Sequence, residues 1–171
     1  MTNPQRTLVL MRHAEAGHGA GGDHDRPLTS QGRSDARAAG RWLAEEVGEL
    51  DLVLVSSARR TRETWREAAD AGAAARDVQA SDEVYDAGLD ELLAAVSHLP
   101  DKARAVLVLG HAPGIPMLAH VLASADGPAD VREALDHGFP TATICRFGVE
   151  RDWLDVGAAT IDLLQVTIPR G

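Results

Sequence analysis

Two histidines and several arginines follow directly on apolar stretches of the chain, and their chemistry suggests a first hypothesis. Arg12 and His13 follow one stretch, Arg59 and Arg60 come shortly after a second, and His111 lies just beyond a third. Guanidinium groups bind phosphate oxygens through parallel, charge-assisted hydrogen bonds. An imidazole held among them can attack phosphorus, because neighbouring cations favour its neutral form. These residue types therefore predict a site for a tetrahedral dianion, with a histidine as nucleophile and no metal required.

The three apolar stretches must bring these groups together. They are residues 8–11, 51–55 and 105–109, which are rich in leucine and valine. An unbroken apolar run that ends abruptly in polar groups is typical of a strand buried in a parallel sheet. Crossovers between parallel strands are right-handed, and ligands bind beyond the carboxyl ends of such strands. The groups that follow the three runs are therefore expected on one side of the sheet.

Helical patterns alternate with the apolar runs, which predicts an α/β fold with a mostly parallel central sheet between layers of helices. Four helices are predicted. The first begins at a cap at Thr29 or Ser30, and the second at a cap at Ser56 or Ser57. The third begins near residue 89 and ends at Pro100, and the fourth begins at Pro113. Extended segments are predicted over 82–85, 141–147 and 158–168, the last at the sheet edge. A loop over residues 16–25 is expected to cover the end of the sheet.

Composition limits the classes of protein that remain. The 171 residues are 44% hydrophobic and 25% charged, which predicts one domain over residues 1–171. A net charge of −9 argues against a nucleic-acid-binding surface. Cys145 is the only cysteine, so neither a disulfide framework nor a thiolate metal cluster is expected. We expect no membrane span and no signal peptide, and therefore a cytoplasmic protein.

Four motifs in order resemble those of the histidine phosphatase superfamily. The segment from Arg12 to Glu15 is similar to its Arg-His-Gly signature, with Ala14 in place of the glycine. The segment 56–64 resembles the second motif, Ser-Pro-x-x-Arg-Ala-x-x-Thr, although serine and alanine stand at 57 and 58. Gly110-His111 resembles the third, and Leu28-Thr29-x-x-Gly32 lies between the first two. The resemblance covers nearly the whole chain and implies a phosphoglycerate mutase-like fold.

The short length and the segments 26–29 and 140–142 are most similar to the SixA-like branch, which removes phosphate from phosphohistidine on signalling proteins. The resemblance implies that His13 is the phosphate-accepting nucleophile. It also implies that Arg12, Arg60 and His111 bind the phosphoryl group, with Arg59 as an exposed neighbour. Expected partners are a phosphorylated protein with a phosphohistidine domain or a small phosphate ester, and no cofactor is implied.

The general acid is less clearly indicated. Related enzymes carry a glutamate after the second helix, and Val84-Tyr85-Asp86 falls at that place. Asp86 is therefore the first candidate and Glu83 the second. Asp86 could equally be the N-cap of the third helix. Without an acid, the enzyme would favour leaving groups that depart easily, such as those of phosphoramidates.

Three other functions remain open. A small-molecule phosphomonoesterase or mutase of the same superfamily would use the same residues. A non-catalytic phosphate-binding module would need only the arginines. A metal hydrolase would draw its ligands from His13, Glu15, His18, Asp23, His24 and His111. Their spacing matches no standard ligand pattern, and the nearby arginines would repel a cation.

Overall fold

A six-stranded sheet organises the protein, whose computed structural model describes residues 5–171. The strands are β1 (Arg6–Arg12), β2 (Leu52–Ser56), β3 (Val78–Ser81), β4 (Ala105–Gly110), β5 (Ile144–Val149) and β6 (Asp162–Thr167). They lie in the order β3-β2-β4-β1-β5-β6. The first four pair in parallel, whereas β5 runs antiparallel to β1 and to β6. The mostly parallel α/β sheet is confirmed, and the last extended stretch lies at its edge as β6.

Helices flank both faces of the sheet. They are α1 (Ser30–Glu46), α2 (Arg59–Asp70), α3 (Asp82–Tyr85), α4 (Leu89–Ser97), α5 (Gly114–Leu122) and α6 (Ala129–Asp136). Helices α1 and α2 contribute to the apolar core on one face, and α3 to α6 contribute to the core on the other. None of the helices in the described part of the chain has both the length and the apolarity needed to cross a membrane.

Alternation along the strands explains why a core forms on each face. In β1, Leu8 and Leu10 contact one core, whereas Val9 and Met11 contact the other. All four side chains are at most 1% exposed. Successive side chains of a strand point to opposite faces, so a strand covered on both sides must be apolar throughout. The continuous apolar run near the N-terminus is thus the pattern of a central strand.

Helices α1 and α2 pack closely against each other on the face of the sheet that carries Val9 and Met11. Thr29 caps α1, since its Oγ1 accepts a hydrogen bond from the backbone N–H of Gly32 at 3.0 Å. Gly40 in α1 lies against Ala68 of α2, and a Cβ at this position would collide with the Ala68 carbonyl oxygen. The small residues of α1 therefore allow the two helix backbones to approach closely.

Two local predictions were wrong. Residues 82–85 form the short helix α3 and not an extended segment, and the neighbouring strand is β3, at 78–81. Ser81 caps α3 by accepting a hydrogen bond from the backbone N–H of Glu83, which favours a helical turn there. Helix α2 begins at Arg59 after Ala58, so neither Ser56 nor Ser57 is its N-cap. Ser56 is instead the last residue of β2, and its hydroxyl contacts the side chain of His111.

Candidate active site

Three neighbouring strands deliver the predicted site residues to one place. β1 lies beside β4, and β4 lies beside β2, all in parallel. His13 follows β1, and His111 follows β4. Arg60 lies in the first turn of α2, the helix that comes after β2 in the chain. The carboxyl ends of parallel strands share one edge of the sheet, which is why residues distant in sequence meet there.

The His13 ring is held in one tautomer by the backbone. Its Nδ1 lies 2.7 Å from the carbonyl oxygen of Ala14, which can only accept a hydrogen bond, so Nδ1 carries the proton. Nε2 is then unprotonated in the neutral ring. The residue is 6% exposed, and burial lowers the His13 pKa to about 3, with further lowering by His111, Arg60 and Arg12. His13 is therefore neutral at pH 7.

Arg60 joins the two histidines. Its Nε donates to Nε2 of His13 at 3.3 Å, and its Nη2 donates to Nδ1 of His111 at 3.1 Å. Burial lowers the pKa of His111 to about 4, and the Arg60 charge lowers it further. The ring centroids of His13 and His111 are 5.2 Å apart. Two imidazole lone pairs thus face one buried guanidinium.

Ser56 fixes the other side of His111. Nε2 of His111 lies 2.7 Å from the Ser56 hydroxyl. Because Nδ1 accepts from Arg60, Nε2 carries the proton and donates to Ser56. Ser56 is fully buried at the end of β2. From the sequence, Ser56 was interpreted as a helix cap and as the first residue of the second motif, and its contact with His111 was not predicted.

Arg12 completes the positive charge of the pocket. Its Nη1 donates to the carbonyl oxygen of Phe139 at 2.8 Å, while its Nε is buried without a hydrogen-bond partner. Burial lowers the Arg12 pKa, and so does the charge of Arg60. A buried unpaired N–H in a positively charged pocket is costly unless an anion accepts it. Arg12 is thus suited to bind an anionic ligand.

Thr64 ties the end of β1 to α2. Its Oγ1 accepts from the backbone N–H of Ala14 at 3.1 Å and donates to the carbonyl oxygen of Arg60 at 2.7 Å. Thr64 is fully buried. One hydroxyl therefore sets the relative position of the strand end that carries His13 and the helical turn that carries Arg60.

Asp23 is the carboxylate that contacts this pocket. Its Oδ2 accepts from Arg60 Nη2 at 3.1 Å and from the Tyr85 hydroxyl at 2.9 Å, and its backbone carbonyl accepts from Arg60 Nη1 at 2.7 Å. The Tyr85 hydrogen bond lowers the Asp23 pKa to about 2, with a further contribution from Arg60. The sequence analysis named Asp23 only as a candidate metal ligand. Asp23 lies in the loop predicted over residues 16–25, which was expected to cover the end of the sheet. That expectation was the sequence feature that could have placed Asp23 near the site.

Asp86 and Glu83, the predicted acids, lie elsewhere. Both are exposed, and no hydrogen bond joins either side chain to the pocket within residues 5–171. Glu83 lines a groove with Leu52 and Leu54 on another part of the surface. Asp86 follows α3 and contributes to the raised pKa of Tyr85, whose main cause is the hydrogen bond to Asp23. Gly88 stands at the N-cap of α4, so Asp86 does not cap that helix.

The positive charge at this edge of the sheet comes from arginine. Over the described residues, no group of three or more histidine, cysteine, aspartate or glutamate side chains could hold a metal ion. Asp23 and the two histidines of the pocket are each hydrogen-bonded to Arg60. A guanidinium among the would-be ligands opposes a divalent cation and favours an anion.

A mostly parallel α/β sheet with a histidine-arginine cluster at its carboxyl edge defines a phosphoglycerate mutase-like protein. Residues 8–91 match the family model of the histidine phosphatase superfamily, branch 1. The chain is also 31% identical to phosphohistidine phosphatase SixA of Escherichia coli over 123 residues. This alignment covers 71% of this chain and 76% of that protein. The chain therefore belongs to the histidine phosphatase superfamily.

Two further similarities extend over almost the full chain. A solved structure from Nakamurella multipartitia, provisionally described as a SixA phosphohistidine phosphatase, is 38% identical with a TM-score of 0.86 and covers 99% of both chains. An uncharacterized protein of Mycobacterium tuberculosis is 35% identical over 163 residues, which are 94% of this chain and 100% of that protein. The predicted resemblance to the SixA-like branch is confirmed.

Proposed function

We propose that this protein is a metal-independent phosphatase that hydrolyses phosphohistidine on a protein substrate, through a phosphoryl group carried on His13. The observation that carries the proposal is the fixed tautomer of His13. Its Nδ1 proton is held by the Ala14 carbonyl, so the Nε2 lone pair points to Arg60 in the positively charged pocket. A neutral imidazole with an unprotonated nitrogen beside anion-binding groups has the properties of a nucleophile toward phosphorus.

The reaction then proceeds in two displacements. The substrate phosphoryl group accepts hydrogen bonds from Arg60 and Arg12. The hydrogen bond from Arg60 Nε to Nε2 of His13 breaks, so Nε2 can attack. Nε2 forms a bond to phosphorus as the bond to the leaving group breaks. Water next attacks the phosphorus of phospho-His13, which breaks the N–P bond and frees inorganic phosphate. The leaving group takes a proton from solvent as it departs, and the attacking water returns one proton to solvent when it forms phosphate. The net reaction therefore consumes one water, and His13 returns to its starting state.

The electrostatics of the pocket favour a phosphoramidate as substrate. The carboxylate that contacts Arg60 is Asp23, whose pKa is lowered to about 2, so it is ionised at neutral pH and cannot donate a proton from this position. An alkoxide leaving group needs protonation, whereas the nitrogen of a phosphoramidate departs more easily. The similarity to Escherichia coli SixA, named a phosphohistidine phosphatase, points to the same substrate class.

The test is to trap the phosphoenzyme. The protein is quenched during turnover of phosphoramidate in the presence of a strong chelator, and the bound phosphate is mapped by mass spectrometry. We expect an acid-labile, base-stable phosphate on His13, none in the His13→Ala variant, and unchanged labelling in His98→Ala, which alters an exposed histidine of another surface. Turnover of a phosphohistidine peptide is compared with that of an alkyl phosphate ester in the same buffer.

Each outcome has a distinct meaning. Activity lost to the chelator without a phosphoenzyme would indicate a metal hydrolase. Phosphate binding without turnover of any substrate would indicate a binding module. A phosphoenzyme with faster turnover of the ester than of the phosphohistidine peptide would overturn the proposed substrate class and leave the role of His13 intact.

A further inference from the structure

Arg60 has most of its hydrogen-bond donors engaged within the protein. Nε donates to His13, Nη1 to the backbone carbonyl of Asp23, and Nη2 to both His111 and the Asp23 carboxylate. One of these acceptors, the Asp23 carboxylate, carries a full negative charge. A phosphoryl group that binds Arg60 must therefore replace an anion already in place.

We propose that Asp23 is an internal competitor for phosphate, which lowers the affinity of the pocket for free phosphate and so promotes release of the product. This inference rests on the proposed function. The Asp23 carboxylate accepts from Arg60 Nη2, a donor that a phosphate oxygen would also use, so the two anions compete for the same edge of Arg60. Where both remain nearby, their like charges repel.

The contacts of Asp23 make the exchange reversible. Its side chain is 56% exposed, so it can turn toward solvent without leaving a buried charge unpaired. Its Oδ2 also accepts from the Tyr85 hydroxyl at 2.9 Å, and its Oδ1 accepts from Arg26 Nη1 at 3.3 Å, so the carboxylate has donors other than Arg60. These donors hold the carboxylate at the mouth of the pocket, where it can return to Arg60 after hydrolysis.

Competition of this kind speeds release of the product without abolishing binding of the substrate. Both must displace Asp23, and both lose the same amount of binding free energy in doing so. A phosphorylated protein gains further contacts outside the pocket, whereas free phosphate has only the pocket itself. The loss lowers both affinities by the same factor, but the substrate keeps the binding free energy of its outside contacts. Competition by Asp23 therefore shortens the time for which free phosphate occupies Arg60, while the substrate still binds.

Titration calorimetry with inorganic phosphate at pH 7.5 tests this proposal. We expect Asp23→Asn to bind phosphate roughly three- to tenfold more tightly than the wild type, as for removal of one partly exposed charge. The asparagine keeps an oxygen for Tyr85 and Arg60, so the loop retains its hydrogen bonds. Asp23→Ala is the second variant. Asp25→Asn removes an exposed carboxylate from the same turn and is expected to bind like the wild type.

The product inhibition constant of phosphate in the turnover assay should fall by the same factor in Asp23→Asn. Equal or weaker phosphate binding in both Asp23 variants would overturn the inference and leave the proposed function standing. Unchanged phosphate affinity with a loss of kcat on an alkyl phosphate ester, whose alkoxide leaving group needs a proton, would also overturn it and assign Asp23 to proton transfer. Absence of phosphate binding and of phospho-His13 in every variant would instead overturn the proposed function.

Discussion

The orientation of His111 depends on a single hydroxyl group. Ser56 Oγ lies 2.7 Å from Nε2 of His111, and this contact directs Nδ1 toward Arg60. A serine hydroxyl can donate as well as accept, so it stays hydrogen-bonded if His111 passes a proton from Nε2 to Nδ1 when a phosphoryl oxygen arrives. Ser56 is in this sense a positioning residue, which acts through His111.

Ser56→Ala should lower kcat/KM for phosphoramidate by about five- to tenfold, because it removes the hydrogen bond to His111, worth roughly 1 kcal/mol. The variant also removes the acceptor of the Ala58 backbone N–H. The measurement is steady-state kinetics together with the His111 imidazole resonances, which report the change of tautomer that a purely structural defect would not produce. Ser57→Ala is the matched control, since that hydroxyl contacts His24 at 3.1 Å. Equal kinetics in both variants would show that His111 is oriented without Ser56.

At the scale of elements, the link between β1 and α2 determines the geometry of the pocket. Thr64 bonds to Ala14 on one side and to the backbone of Arg60 on the other, so the strand end and the helix move together. Helix α2 is in turn pressed against α1 at Gly40, whose missing side chain leaves room for Ala68. The positions of Arg60 and His13 therefore depend on packing one layer away from them.

Thr64→Val keeps the shape of the side chain and removes the hydroxyl, which leaves the buried N–H of Ala14 without its acceptor. We expect a loss of about 1–3 kcal/mol in the free energy of unfolding, measured by urea denaturation. Thr64→Ser restores the hydroxyl and should recover most of that loss. If valine were as stable as threonine, the hydroxyl would not be what joins these elements.

Gly40→Ala should destabilise the protein by about 1–3 kcal/mol, because the new methyl group would collide with the backbone of Ala68 and force α1 away from α2. The higher helix propensity of alanine would offset about 1 kcal/mol of that cost. Gly157→Ala is the control, since nothing lies within 4 Å of the added Cβ there. Urea denaturation of both variants measures the difference, and a Gly40 variant as stable as the control would contradict close contact of the helices.

At the scale of the whole molecule, the pocket makes stability depend on pH. Burial lowers the pKa of His13 to about 3 and that of His111 to about 4, from an ordinary value of 6.5. The unfolded chain therefore binds protons below pH 6.5 that the folded protein does not. Stability falls as the pH drops from 6.5 toward 4, which is the cost of holding two neutral imidazoles beside arginine.

The expected slope is about 1–3 kcal/mol per pH unit for the two histidines together, from proton linkage. Urea denaturation at pH 7, 6, 5 and 4.5 measures it. His111→Asn should remove about half of the slope. A wild-type stability that is flat from pH 6.5 to 4.5 would mean that both rings titrate in the folded protein as they do in the unfolded chain.

Local patterns were enough to predict where most elements lie. The unbroken apolar runs of β1, β2 and β4 could only be strands covered on both faces, and the groups that end them had to share an edge. The helical turn at Asp82–Tyr85 was mistaken for an extended segment, because four residues give no reliable period. Its conformation is set by the Ser81 cap and by burial of Val84 in the core.

The amino-acid pattern is enough to predict that Arg12, His13, Arg60 and His111 gather at the carboxyl edge of the sheet, because each follows an apolar run that forms a parallel strand. How these groups are used depends on tertiary contacts. The tautomer of His13 follows from its contact with the Ala14 carbonyl, and that of His111 from its contact with Arg60. The contact of Asp23 with Arg60 joins residues 37 apart in the chain. Such contacts depend on loop conformation and side-chain direction, which no periodic pattern in the sequence records.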